Sequence, residues 1–163
     1  MPTIPTVAEQ LSFLIGRHAG TEQVHPSPWG PGGAGSATAS AESALDGAVV
    51  LHRHSHQRDG AAAFEVLNVF STDPATGEVL LHAHDSVGFP PDPPARGTWH
   101  DGVLVLDRRT PRGSSRTTFE PLPTGYRWRK VYRRDETGPW TPVVDGEFGM
   151  PASGPPAVEP SDG

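Results

Sequence analysis

The chain has 163 residues and no cysteine. Disulfides, cysteine-built zinc fingers, thiol nucleophiles and cysteine-ligated iron–sulfur clusters are therefore excluded. Lysine is nearly absent as well: the thirteen basic residues are twelve arginines and Lys130. No apolar run approaches the roughly 20 residues that a membrane-spanning helix needs. The opening MPTIPTVAEQ has neither the basic nor the apolar region of a secretory signal. These absences lead us to expect a cytoplasmic chain with no membrane partner. Core material is also sparse, at 34% hydrophobic and 7% aromatic residues.

Glycine and proline, 19 of each, are abundant. They recur as turn signals: Pro26 to Gly35, Asp46-Gly47, Asp59-Gly60, Asp73 to Gly77, Gly88 to Gly97, Asp101-Gly102, Pro111 to Gly113, Thr124-Gly125 and Thr137 to Pro139. The intervening segments are short and alternate in polarity, which is the pattern of an all-β sandwich or barrel. About ten strands are expected, at 17–25, 35–45, 48–57, 62–72, 78–86, 95–100, 103–110, 114–121, 125–134 and 140–148. Such short connections favour an antiparallel meander. Closure into a barrel removes its edges, and about ten strands enclose more space than their side chains fill. One helix is expected first. Thr6 and Glu9 have capping-box spacing, Val7, Leu11, Leu14 and Ile15 make one apolar stripe, and Gly16 is a natural stop. Residues 1–149 then form one domain, and the Pro/Gly-rich 150–163 reads as a disordered tail.

The formal net charge of −6 argues against general nucleic-acid affinity. Residues 96–134 nevertheless hold ten of the thirteen basic residues. Arg127, Arg129 and Arg133 alternate with aromatic residues there, so we read them as the wet face of a strand, with no nucleic-acid partner.

The candidate chemistry lies in histidine. VLHRHSHQRDG places His52, His54 and His56 on one face of a strand, and LLHAHDS repeats the spacing with His82 and His84. Parity does not say which face is inside. In the second strand it poses a fork: either His82 and His84 point inward, or Asp85 does, unless a bulge intervenes. Imidazoles at this spacing suit a metal, proton transfer near neutral pH, or hydrogen bonds to a ligand's polar end. H-x-H lacks the specificity of H-E-x-x-H, so metal is the least favoured. No G-x-S-x-G supports a hydrolase.

Three stretches, LSFLIGRHAGTEQVHPSPWGPGG, FSTDPATGEVLLHAHDSVGFPP and ARGTWHDGVLVL, resemble a bacterial family of uncharacterised lipocalin-like barrels related to the nitrobindins and, more loosely, to fatty-acid-binding proteins. The resemblance covers roughly residues 7 to 149. It implies a helix at the barrel mouth, a mostly antiparallel barrel and an interior pocket. It also implies that His52, His54 and His56 stand where the family places polar and aromatic cavity residues. Three departures matter. His18 stands at the usual Trp of GxWxG. Ala83 and His84 flank Asp85, where bulky aromatics are usual. The last strand, PWTPVVDGEF, lacks the histidine that ligates haem in nitrobindins.

We therefore expect a closed antiparallel barrel of about ten strands that binds a small, largely apolar molecule with a polar end. His54 and His18 are the candidate catalytic groups. His52, His56, His82, His84, Asp85, Tyr126 and Trp128 are the candidate ligand-binding residues. A cofactor-free cyclase, isomerase or dehydratase is the competing reading and a haem protein the third. No cofactor or metal is expected otherwise, and the sequence leaves oligomeric state open. Trp29 and Phe89 are candidate caps on two rim loops.

Overall fold

The computed structural model describes residues 3–28, 30–88 and 92–151. Trp29, Phe89 and the tail beyond Pro151 lie outside the described residues. Ten strands close into one barrel in sequence order: β1 (Gly16–Val24), β2 (Gly33–Ala44), β3 (Val49–Arg58), β4 (Ala61–Thr72), β5 (Val79–Asp85), β6 (Ala95–His100), β7 (Val103–Thr110), β8 (Gly113–Leu122), β9 (Gly125–Arg133) and β10 (Thr141–Gly149). Every pairing is antiparallel, and β10 returns to β1 to close the ring. The turn signals account for this order. Asp59, Asp101, Gly60 and Gly102 all adopt positive φ at two-residue hairpin connections, as the Asp-Gly dipeptide favours. Among the described residues no helix is long and apolar enough to cross a membrane.

The N-terminal segment plugs one end. The capping box forms, with Glu9 N–H donating to Thr6 Oγ1 at 3.1 Å and Thr6 N–H to Glu9 Oε2 at 2.7 Å. The expected single helix is split, however, into α1 (Val7–Gln10) and a 3₁₀ turn over Ser12–Leu14. Leu14 N–H bonds to Leu11 O and Ile15 N–H to Ser12 O. The tighter winding aligns residues three apart. Leu11 and Leu14 are thus fully buried with Val7, while Ile15 turns out to solvent at 36% exposure. This corrects the stripe expected from an unbroken helix.

Beneath the plug the barrel is packed with apolar side chains. Val50, Phe70, Val79, Leu104, Phe119 and Tyr126 are almost wholly buried. Tyr126 stacks on Phe148 with ring centroids 5.0 Å apart, and Phe70 meets Phe119 edge-on at 5.7 Å. The opposite end is different. There the inward positions become polar, and the wall is incomplete. β5 pairs with β6 only over Val79–Leu81, because β6 begins at Ala95, the partner of Leu81.

The outer face behaves as expected for the arginine-rich stretch. Arg127 pairs with Glu120 and Glu147, Arg129 pairs with Asp145, and Arg133 lies over Trp140 at 4.3 Å.

Two substitutions separate the plug's contributions. Leu14→Ala should cost about 2–5 kcal/mol as a buried truncation, and Thr6→Ala about 1 kcal/mol as a lost cap. Urea unfolding midpoints should rank them in that order.

Candidate functional site

Alternation along β3 turns Val50, His52, His54, His56 and Arg58 to the barrel interior. The three histidines are 2%, 7% and 4% exposed. On β1 the same alternation turns His18, Gly20, Glu22 and Val24 inward, and His18 and Glu22 are buried. Glu22 organises the site. Its Oε1 accepts from His54 Nε2 at 2.8 Å and from His56 Nδ1 at 3.1 Å. Its Oε2 accepts from Trp128 Nε1 at 2.9 Å. Every lone-pair direction the carboxylate uses therefore meets an N–H, which a buried carboxylate requires.

Two glycines make room for this. Glu22 is paired across the sheet with Gly35 on β2 and with Gly146 on β10. A Cβ on Gly35 would stand 2.6 Å from His56 Cε1, and one on Gly146 would stand 2.5 Å from Trp128 Nε1. The imidazole and the indole thus lie across glycine floors, from which they reach the same carboxylate. The contacts also set tautomers. A proton on His54 Nε2 and one on His56 Nδ1 face Glu22, which leaves His54 Nδ1 and His56 Nε2 as the basic nitrogens. His56 Nε2 is buried and has no hydrogen-bond partner.

Deeper in the barrel a second chain forms. Asn68 Nδ2 donates to His52 Nδ1 at 3.1 Å, which puts the His52 proton on Nε2, 3.3 Å from the Tyr126 hydroxyl. Burial, with the neighbouring His54 and His18, lowers the His52 pKa to about 3. Burial also lowers that of His18. Burial, then the Glu22 charge, pushes the Tyr126 phenol well above its ordinary value.

A cavity of about 510 Å³ lies above this layer and opens away from the plug. Glu22, His52, His54, His56 and Trp128 line its lower part. Arg58, Asp85, Asp92, Arg108, Arg112 and Lys130 line its mouth. Asp92 is held by Arg112 at 3.0 Å and lies 3.7 Å from Arg108. It ties the chain just before β6 to β7 and to the β7–β8 turn.

The candidate residues divide as follows. His52, His54, His56, Asp85 and Trp128 come together at the cavity. The fork on β5 falls to Asp85: Val79 and Leu81 are buried on its face, and His82 and His84 lie on the outward face. His84 instead borders a hollow of about 740 Å³ on the outer wall, beside Arg17, Arg53 and Glu65. His18 and Tyr126 sit in the packed layer below, ring to ring at 5.1 Å, and neither lines the cavity. Sequence reasoning missed Glu22 and Lys130. Parity held the signal for both. Glu22 is four residues beyond His18 on one strand, and Lys130 continues the face of Tyr126 and Trp128. Among the described residues no group of three or more His, Asp or Glu side chains is arranged to hold a metal ion.

The His52 shift has a consequence for stability. Its folded pKa of about 3 lies below the ordinary 6.5, so between those values the unfolded chain binds a proton that the folded chain refuses. Stability from this group is intact above pH 6.5 and falls as pH drops toward 3. Histidine NMR at pH 5 should show His52 still neutral, and urea unfolding should show lower stability at pH 5 than at pH 7.

The barrel is similar to the crystal structure of Rv2717c from M. tuberculosis, with a TM-score of 0.68 and 12% sequence identity, covering 92% of this chain and 100% of that one. At that identity the likeness shows the fold alone. No family model and no curated protein matches the chain. What the comparisons share with the resemblance read from the sequence is the closed ten-strand barrel.

Proposed function

We infer that the barrel binds a small, largely apolar molecule with its polar atoms against the His54–Glu22–His56 cluster. The observation that carries this is the cavity itself. About 510 Å³ is ligand-sized, and Phe119, Trp128, Leu81 and Val144 give it apolar wall while Glu22 and three histidines give it a concentrated polar patch.

A second reading is favoured by the tautomers. A carboxylate behind an imidazole makes the far nitrogen a better base and stabilises the imidazolium that follows. Glu22 would hold His54 in this way, and His54 Nδ1 would take a proton from a bound carbonyl compound and return it elsewhere. That is the chemistry of a cofactor-free isomerase, cyclase or dehydratase. His56 shares the carboxylate, but its unengaged Nε2 is buried over Gly35. His18 does not line the cavity, and so does not reach a molecule held there.

Haem fits these residues less well. Its iron needs an imidazole nitrogen that is free and faces the cavity. Both nitrogens of His52 are engaged, and His54 Nε2 and His56 Nδ1 are held by Glu22, so His54 Nδ1 alone is left, on a ring packed 5.1 Å from Trp128 and 5.4 Å from Phe148. His56 Nε2 lies over Gly35. We derive no step through haem.

The probe 2-tetralone, an apolar ketone with exchangeable α-hydrogens, tests both readings. It should quench Trp128 fluorescence saturably, and Glu22→Gln should weaken that binding. In D₂O the protein should accelerate α-hydrogen exchange, and His54→Phe and Glu22→Gln should each lower the rate by about 10²-fold or more. Binding without exchange would leave the binding reading alone standing. No saturable binding by this or other apolar ketones and alcohols would contradict both.

A further inference from the structure

The mouth of the cavity carries charge that the apolar-binding reading does not use. The chain as a whole is negative, at −6, and its outward arginines are mostly paired with acids. The cavity lining reverses that balance. Arg58, Arg108, Arg112 and Lys130 line the cavity with Glu22, Asp85 and Asp92, so the lining holds one more positive than negative group, with Arg112 at the rim, 72% exposed.

The surplus has a location. Arg108 and Arg112 share Asp92, and Glu22 is committed to the two histidines and Trp128. Arg58 and Lys130 have no ion pair among the described residues. Arg58 Nε is buried without a hydrogen-bond partner, a state that costs free energy until an acceptor arrives. Lys130 stands on the cavity wall with Thr117 beside it in the register. Burial and the nearby Arg108 lower its pKa to about 8, against the opposing pull of Asp85 and Asp92.

The spacing relates these cations to the site below. Arg58 is two residues beyond His56 on β3, and Lys130 two beyond Trp128 on β9, on the same inward faces. Each step of two along a strand is about 7 Å. A molecule resting on Phe119 and Trp128 would therefore place a terminal anionic group at the Arg58–Lys130 level, one step outward from the histidines. Glu22 would repel the same group from the floor, so the orientation is decided by charge. One surplus charge suits a monoanion better than a phosphate dianion, and the planar walls of Trp128 and Phe119, stacked at 6.4 Å and 19°, suit an aromatic body.

Resting on the binding reading above, we propose that the ligand is an aromatic carboxylic acid whose carboxylate is held at the mouth by Arg58 and Lys130 while its ring system extends down to the histidine cluster. The acid group anchors the ligand, and the histidines meet whatever polar atom lies at its far end.

A matched pair of probes isolates the charge: anthracene-2-carboxylate and anthracene-2-carboxamide, alike in shape and different in charge. Their dissociation constants for the full chain at pH 7 are read from anthracene fluorescence. The carboxylate should bind about tenfold or more tighter, the difference expected of one charge-assisted contact. Lys130→Met should weaken the carboxylate about tenfold and leave the carboxamide within about twofold, which also shows that the variant is folded. Asp85→Asn, which removes an acid from the mouth, should tighten the carboxylate alone. Equal binding of the two probes, or an equal loss of both in Lys130→Met, would overturn the anionic ligand while leaving an apolar cavity intact. If neither probe binds, the apolar cavity and the anion site fail together.

Discussion

One carboxylate inside the barrel governs the arrangement of the rest. Glu22 is 3% exposed, and a carboxylate so placed is costly unless donors surround it. Three do, from two strands: His54 and His56 on β3 and Trp128 on β9. Each charge-assisted bond contributes on the order of 1.5–3 kcal/mol. The barrel's small residues follow from the same need. Gly35 and Gly146 are the cross-strand neighbours of Glu22, and any side chain there would occupy the space through which the imidazole and the indole reach it.

From that point polarity rises along the barrel axis. The plug of Val7, Leu11 and Leu14 seals an apolar floor. His52, neutral between Asn68 and Tyr126, forms the transition. Above it are the Glu22 cluster and then the cationic mouth. The plug closes the barrel at one end, and the cavity lies toward the other. Protein groups that carry charge are thus met in order by anything that enters: cations first, then imidazoles, then hydrocarbon. The pKa values of His52 and Tyr126 respond to their depth in this gradient.

The strands were readable because their turns were. Asp-Gly and Pro/Gly clusters placed all ten within a few residues, and each consecutive pair became a hairpin. The helix was readable only in its first turn, since its cap is local. Its continuation depends on the rims of β3, β4 and β9 against which it packs, and those turned Ile15 outward. The inward face of β3 was not settled by its own residues. Leu51 argued one way and Arg53 the other, and only the closed barrel decides. The missed residues share one cause. A Glu and a Lys on strands read as solvent-facing when composition is weighed before parity. Once His18 is placed inward, alternation puts Glu22 inward too, and Tyr126 and Trp128 carry Lys130 with them. His82 and His84 show the converse: their spacing copies that of β3, but Asp85 and Leu81 hold the inward face of β5.

The account rests on Glu22 holding two imidazoles in opposite tautomers, and nitrogen-15 NMR of the histidine rings near pH 7.5 reads this directly. His54 should carry its proton on Nε2 and His56 on Nδ1, and each of those protons should shift in Glu22→Gln. If both rings instead show the same tautomer, or exchange freely between the two and ignore the substitution, then the carboxylate does not organise the site and the account is wrong.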